Sequence, residues 1–488
     1  MNFKKPTTFK KSAISALIAP LLISGGFLAL SSNVYANDSE ELEKLRALVQ
    51  ELDQKVRVLD RKGEIAAEEA AAKKKETPVL VAGDKGFALK SADGNFEYAL
   101  KGLFQLDYRD FQDDGITNTN QAEGFTARRI RPTFQGTLFG KYDFRFTPEF
   151  GEAVNRAQDN GNSSRVIDAY VDARFQPYFK VRAGKFKPYV GLERLQGGGD
   201  IKFIERSYVS NNILPNRDLG VAVYGDVLDS KLTYALGATN GVADGSEGTT
   251  LLDTNDDKDY AARIFATPFK GSDSVLEGLG IGIAATYGDS KGVASTGLAG
   301  GYKTPGVAAT NFFTLNAAVV GDGQRTRWTP QAYYYNGPFG LITEYAKVSN
   351  DVRRGANRGE FESDAWQVAG SWLLTGETAS FKGVKPKNAF ETGKDGWGAW
   401  ELVARYQQQE IDSEAFAGTG ATQFASRTTS AKSAKTWGGG INWYLNQWVK
   451  VAVNYEQTSF ENGGGGTALN PKDRDDEKVL LSRLQFQF

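Results

Sequence analysis

The chain has 488 residues with 58 Lys and Arg against 59 Asp and Glu, no Cys, no His, 55 Gly and 12% aromatic residues. Near-neutral charge is not the balance of a nucleic-acid binder, and the lack of Cys and His excludes a disulfide framework and removes zinc sites and the usual general bases. No enzyme activity, cofactor or metal site is expected, and nucleic acid is not among the expected partners.

The first segment, MNFKKPTTFKK, carries Lys4, Lys5, Lys10 and Lys11. An apolar run through Leu17, Leu21, Phe27 and Leu28 then leads to Val34-Tyr35-Ala36. This is the pattern of a secretory signal over residues 1–36, with Pro20, Gly25 and Gly26 interrupting a stretch that could otherwise anchor in a bilayer. Its removal leaves 54 basic and 59 acidic residues, a net charge of −5. Beyond it no stretch is long and apolar enough to span a membrane as a helix.

Leu42, Leu45, Val49, Leu52, Val56 and Leu59 alternate in steps of three and four, a heptad seam that predicts a short coiled-coil helix before Gly63. A charged helix or linker follows and closes at Pro78. Residues 37–78 are thus expected to form an oligomerising stalk outside the main domain, periplasmic if that domain is an outer-membrane barrel, the plainer reading being one amphipathic helix lying on another surface.

From residue 79 to 488 the period changes to two. In FEYALKGLFQLDY, Phe96, Tyr98, Leu100, Phe104, Leu106 and Tyr108 share one face, opposite Glu97, Lys101, Gln105 and Asp107. KLTYALGA, WGAWELVARY, GGINWYL and KVAVNYE repeat the pattern. Tight joints at Gly140-Lys141, Gln176-Pro177, Leu228-Asp229, Gly337-Pro338 and Asn446-Gln447 alternate with long polar connections near 110–124, 186–216, 241–258, 289–324, 411–431 and 459–475. A soluble sandwich has no reason to sort its connections by length or to show aromatics outward. The fold class predicted is all-β: a transmembrane antiparallel barrel of about 16 strands, apolar side chains to the lipid and polar ones to the lumen. Residues 375–396 are too long for a tight turn and leave the strand count open there. The final LLSRLQFQF reads as a closing strand, because a sheet in lipid has no water to satisfy an open edge.

GKFKPYVGLERL (184–195), FIERSYVSNN (203–212), RDLGVAVYG (217–225), YAARIFATPF (260–269), WLLTGE (372–377), GAWELVARY (398–406) and INWYLN (441–446) together resemble the phosphate-selective porin O and P family. The terminal aromatic also resembles the C-terminal signal by which outer-membrane proteins are recognised for assembly. The resemblance implies a homotrimer of sixteen-stranded barrels in the bacterial outer membrane, in contact with its lipids and lipopolysaccharide, passing small anionic solutes such as phosphate.

Projection of the strands independently places Lys101, Arg129, Arg131, Arg145, Arg174, Arg182, Arg263, Arg325, Arg327 and Arg405 towards the lumen, with Lys450 and Arg483. A smaller acidic set shares that face: Glu97, Asp107, Asp143, Asp168, Asp172, Glu344, Glu401 and Glu456. Basic rings in a narrow passage favour anions, although any one arginine could instead pair with a lumen acid. The 186–216 connection, carrying Lys187, Arg194, Lys202 and Arg206, is the expected constriction. No dense run of arginines matches the ladder expected of dedicated phosphate-selective members, so general anion-leaning diffusion is the expectation. A sugar or organic-acid channel, and a plugged structural anchor, are the alternatives. Gly197–Gly199 and Gly463–Gly466 read as flexible loops, and DTNDDKD (253–259) as a solvated loop lacking the Gly and Glu of a calcium loop.

Overall fold

The structure, a computed structural model, describes residues 38–83, 86–114, 123–151, 164–248, 256–292, 298–306 and 311–488. The expected leader, residues 1–36, falls outside them. Two units divide the chain near Lys74.

In the first unit, helix α1 (Asp38–Glu76) runs through Gly63 without a break. Ion pairs one turn apart, Lys44–Glu40, Lys55–Glu51 and Arg57–Asp53, support its polar faces. All six seam residues are exposed along this helix.

The second unit is an antiparallel sheet that closes on itself. Its wall strands are β1 (Glu97–Asp114), β2 (Gly124–Leu138), β3 (Tyr142–Glu149), β4 (Arg165–Gln176), β5 (Phe179–Phe186), β6 (Asp218–Val227), β7 (Leu232–Thr239) and β8 (Asp259–Ala266). They continue with β9 (Leu279–Gly292), β10 (Val319–Asn336), β11 (Phe339–Arg354), β12 (Asn357–Leu373), β13 (Ala399–Ile411), β14 (Ala431–Tyr444), β15 (Val449–Thr467) and β16 (Glu477–Gln487). Each pairs with the next, and β16 pairs with β1, giving the closed sixteen-stranded barrel that the alternation predicts. Phe488 completes the seam by exchanging both backbone hydrogen bonds with Gly102. Its ring occupies the space that a side chain at Gly102 would need. Strands Val79–Gly83 and Gly86–Lys90 form a small hairpin added to β1, and Asn470–Asp473 pairs with the end of β15.

Period-two sequence becomes period-two burial, clearest on β12. There Ser363, Ala365, Gln367, Ala369, Ser371 and Leu373 are buried, while Val368 and Trp372 are exposed. Phe104, Phe125, Phe146, Leu236, Ile264, Ile283, Trp328 and Trp437 extend the outward apolar surface around the barrel.

The interior departs from a simply polar lumen. At the long-connection end, Val190, Tyr208, Ile213 and Leu214 of the 187–217 loop pack with Tyr302, Phe312 and Phe313, with Phe416 and Phe424, and with Val348, Val352 and Phe361 of the wall. Three connections fold inward there, so the strand ends facing them turn apolar. From the opposite end, residues 374–398, which hold no strand, also reach inside. Ala379 N–H donates to Gly337 O, and Phe381 O accepts from Gln196 Nε2 of the 187–217 loop at 2.9 Å.

Two glycine runs differ from their predicted flexibility. Gly463–Gly466 lies in the β15 hairpin, with Gly463, Gly465 and Gly466 at φ of 85°, 89° and 84°. Gly197–Gly199 packs on the wall, where a Cβ on Gly198 would meet Arg131 and Arg129.

Candidate permeation site

The 187–217 loop crosses the lumen and is tied to the wall along its backbone. Wall amides and one carboxylate supply the ties. Gln331 on β10 donates to Val190 O, and Glu344 on β11 accepts from the N–H groups of Leu192 and Glu193. Gln407 on β13 accepts from Tyr208 N–H, Asn442 on β14 donates to Lys202 O, and Asn454 on β15 accepts from Ile204 N–H. Gln485 on β16 and Gln105 on β1 donate to Gly199 O and Gly198 O. A buried loop backbone needs such partners, because each unsatisfied group in a dry interior costs about 1–3 kcal/mol. No charge signal marks these Gln and Asn positions in the sequence, and the projection of basic residues passes over them.

Glu205 is the loop's ionic anchor. Its carboxylate accepts from Arg128 Nε and Nη2 at 2.6 and 3.1 Å, with Arg109 and Arg483 at 3.7 and 3.6 Å. Burial alone raises its pKa, but Arg128 and Arg129 outweigh burial and hold it well below the usual carboxylate range. Arg128 reaches the lumen through a β-bulge. Gln105 faces Arg129 while Leu106 faces Ala127, leaving Arg128 as the extra residue. Both Arg128 and Arg129 are therefore buried inside, where strict alternation admits only Arg129.

The four basic loop residues all lie inside the barrel. Lys202 pairs with Glu401 at 3.0 Å. Lys187 donates to Gln196 O, Arg194 to Ser210 O, and Arg206 to the carbonyls of Glu193 and Gln196. These three hold the loop's own fold while crowding Arg217. Burial, then the repulsion of Arg206 and Arg217, pushes the Lys187 ammonium well below the usual lysine range. Burial likewise brings Arg206 down to about 10. Asp168 pairs with Arg217 at 2.9 Å, and Glu247 with Arg165 at 2.9 Å, balancing part of this positive zone.

The wall residues divide into two groups. Arg174 pairs with Asp143, Arg182 with Asp172, Arg325 with Asp259, Arg327 with Asp244 and Asp259, and Arg405 with Glu456, all within 3.2 Å, and Arg131 pairs with Glu149. By contrast Lys101, Arg129, Arg145, Arg263 and Lys450 form no ion pair among the described residues, Lys450 donating instead to Ile201 O. Arg129 donates to Gln105, Arg263 donates to Gln331, and the Arg145 Nε has no hydrogen-bond partner. Of the eight projected acids, seven face a basic partner, and Glu344 is taken up by loop backbone. Within the projected wall set, the side chains without a close ion pair are therefore mostly basic.

Residues 98–488 match the family described as Phosphate-selective porin O and P. The chain belongs to this porin family. Porin O of Pseudomonas aeruginosa is 23% identical over 429 residues, which cover 83% of this chain and 91% of that protein. The outer membrane channel DcaP of Acinetobacter baumannii shares the fold with a TM-score of 0.51 at 12% identity, over 84% of this chain and 100% of that one. This porin is accordingly an outer-membrane β-barrel channel, as the strand pattern and its resemblance imply. The invading loop and the inward Arg and Lys set belong to the same porin domain.

Proposed function

We propose that this porin is a passive channel whose passage favours small inorganic anions, phosphate among them, over cations, with no bond broken in transit. The observation that carries this reading is the imbalance of pairing. Lys101, Arg129, Arg145 and Arg263 form no close ion pair among the described residues, whereas seven of the eight projected wall acids do. In a narrow passage with low-dielectric walls, uncompensated positive charge lowers the energy of an anion and raises that of a cation. Guanidinium donors also suit phosphate oxygens.

The same reading assigns residues 1–36 to an export leader, 37–78 to a periplasmic stalk and 79–488 to the barrel, assembled as a homotrimer among outer-membrane lipids and lipopolysaccharide. The constriction is assigned to the 187–217 loop with Lys187, Arg194, Lys202 and Arg206, facing the basic wall. Planar-bilayer recording tests the whole. Discrete conductance steps are expected, with reversal potentials in a KCl gradient showing chloride ahead of potassium, more strongly in dilute salt because screening sets in beyond about 10 Å at 0.1 M. A preference for potassium in dilute salt defeats the anion reading, and absence of steps defeats the channel reading in favour of an anchor.

A further inference from the structure

One unpaired guanidinium of the passage stands apart from the others because aromatic rings surround it. Arg263 on β8 is only partly buried, and its Nε and Nη2 both donate to Gln331 Oε1 at 3.1 and 3.0 Å. A guanidinium has five N–H donors, so three remain for something else. Its charge centre lies 4.6 Å from the Phe265 ring centre. Phe265 is 5.2 Å from Tyr333, and Tyr333 is 5.5 Å from Phe381, which the 374–398 segment carries into the lumen. Tyr333 and Phe381 are both half-buried, so part of each ring faces open space. The nearby carboxylate of Glu344 is already engaged by Leu192 N–H, Glu193 N–H and Gln367 Nε2.

Resting on the anion-leaning reading, we propose that Arg263, Phe265, Tyr333 and Phe381 form a subsite in the passage for carboxylates that carry an aromatic ring. The carboxylate would take the free N–H donors of Arg263, and the ring would stack on Tyr333 and Phe381. A bare inorganic anion makes no use of the rings. An uncharged aromatic makes no use of the guanidinium. Only a solute with both parts is held at both ends, at a point where wall, loop and the 374–398 segment meet. The plainer reading is that the rings merely pack that segment against the wall, since Phe381 also adjoins Leu192 and Phe203.

Benzoate and acetate added to the native channel in planar bilayers separate the two readings. Benzoate is expected to reduce the chloride current at a concentration about tenfold below that needed for acetate, through the added stacking contacts. Arg263→Gln, and separately Tyr333→Leu, should each abolish that advantage while discrete conductance steps report a folded channel. Equal action of the two anions on the native channel overturns the proposal, as does an undiminished benzoate effect in both variants. A native channel that prefers chloride but treats the two carboxylates alike defeats the subsite alone. One that prefers potassium defeats the underlying anion reading as well.

Discussion

A lumen arginine in this barrel either completes the wall or addresses the passage, and its partner decides which. Arg327 is fully buried between Asp244 at 2.7 Å and Asp259 at 3.2 Å. Removing its charge would leave Asp244 without an ionic partner in a dry site, Asp259 keeping Arg325, and deleting one partner of a buried pair costs about 3–5 kcal/mol. Arg145 points to the same lumen but forms no ion pair among the described residues, and its Nε lacks a hydrogen-bond partner. Arg327→Gln should therefore lower the temperature at which the folded form is lost on unboiled gels and leave the chloride-to-potassium ratio nearly unchanged. Arg145→Gln should do the reverse, shifting stability by no more than about 0.5 kcal/mol while reducing that ratio. Reversal potentials and a heat series on both variants check this, and equal effects of the two on selectivity would refute the division. The sequence marks both residues as inward, since side-chain direction follows from the period of two. It cannot tell them apart, because Asp244 and Asp259 are distant from Arg327 along the chain and meet it only across the closed wall.

At the scale of elements, the 187–217 loop behaves as a fastened strap. It is held by side-chain amides between β10 and β1, by the Glu344 carboxylate on β11, and by Glu205 on Arg128. The carboxylate of Glu205 is depressed in the folded protein, so its contribution is fully present above the ordinary carboxylate value near 4.5 and is lost as pH falls through the depressed one. Open-channel noise should accordingly stay level from neutral pH to about pH 5 and rise only in stronger acid. Glu205→Gln should bring the same noise to neutral pH, measured in single-channel records. Noise that begins between about pH 6 and 7 in the native channel would point to a different group. The position and length of this loop are legible in the sequence, because it interrupts the strand rhythm after the fifth strand. Its fastening is not, since Gln and Asn on a lumen face look the same whether they meet water or a loop backbone. The bulge at Arg128 escaped for a related reason: an extra residue in one strand is defined only by its neighbour.

For the whole molecule, the two units raise the question of which one holds an assembly together. The seam from Leu42 to Leu59 is exposed along α1 and spans only about three heptads, near the lower limit for a stable coiled coil. The barrel's outward surface, by comparison, offers aromatic and aliphatic side chains around the entire wall. Deletion of residues 38–76 is expected to leave heat-modifiable trimers largely intact on unboiled gels. Conversion to monomers would instead assign the assembly to the helix.

The sequence by itself determined the barrel, because in lipid every backbone group must pair and every second side chain must be apolar, and both demands are written residue by residue. It also determined the closing strand, the helix and the excess of inward basic residues. Tertiary structure alone decided which of those charges lack an ion pair, that three connections and the 374–398 segment fill the interior, and that Arg263, Phe265, Tyr333 and Phe381 follow one another across it. Strand period is a local property of the chain, whereas pairing and filling depend on contacts between residues far apart in sequence, which exist only once the sheet has closed.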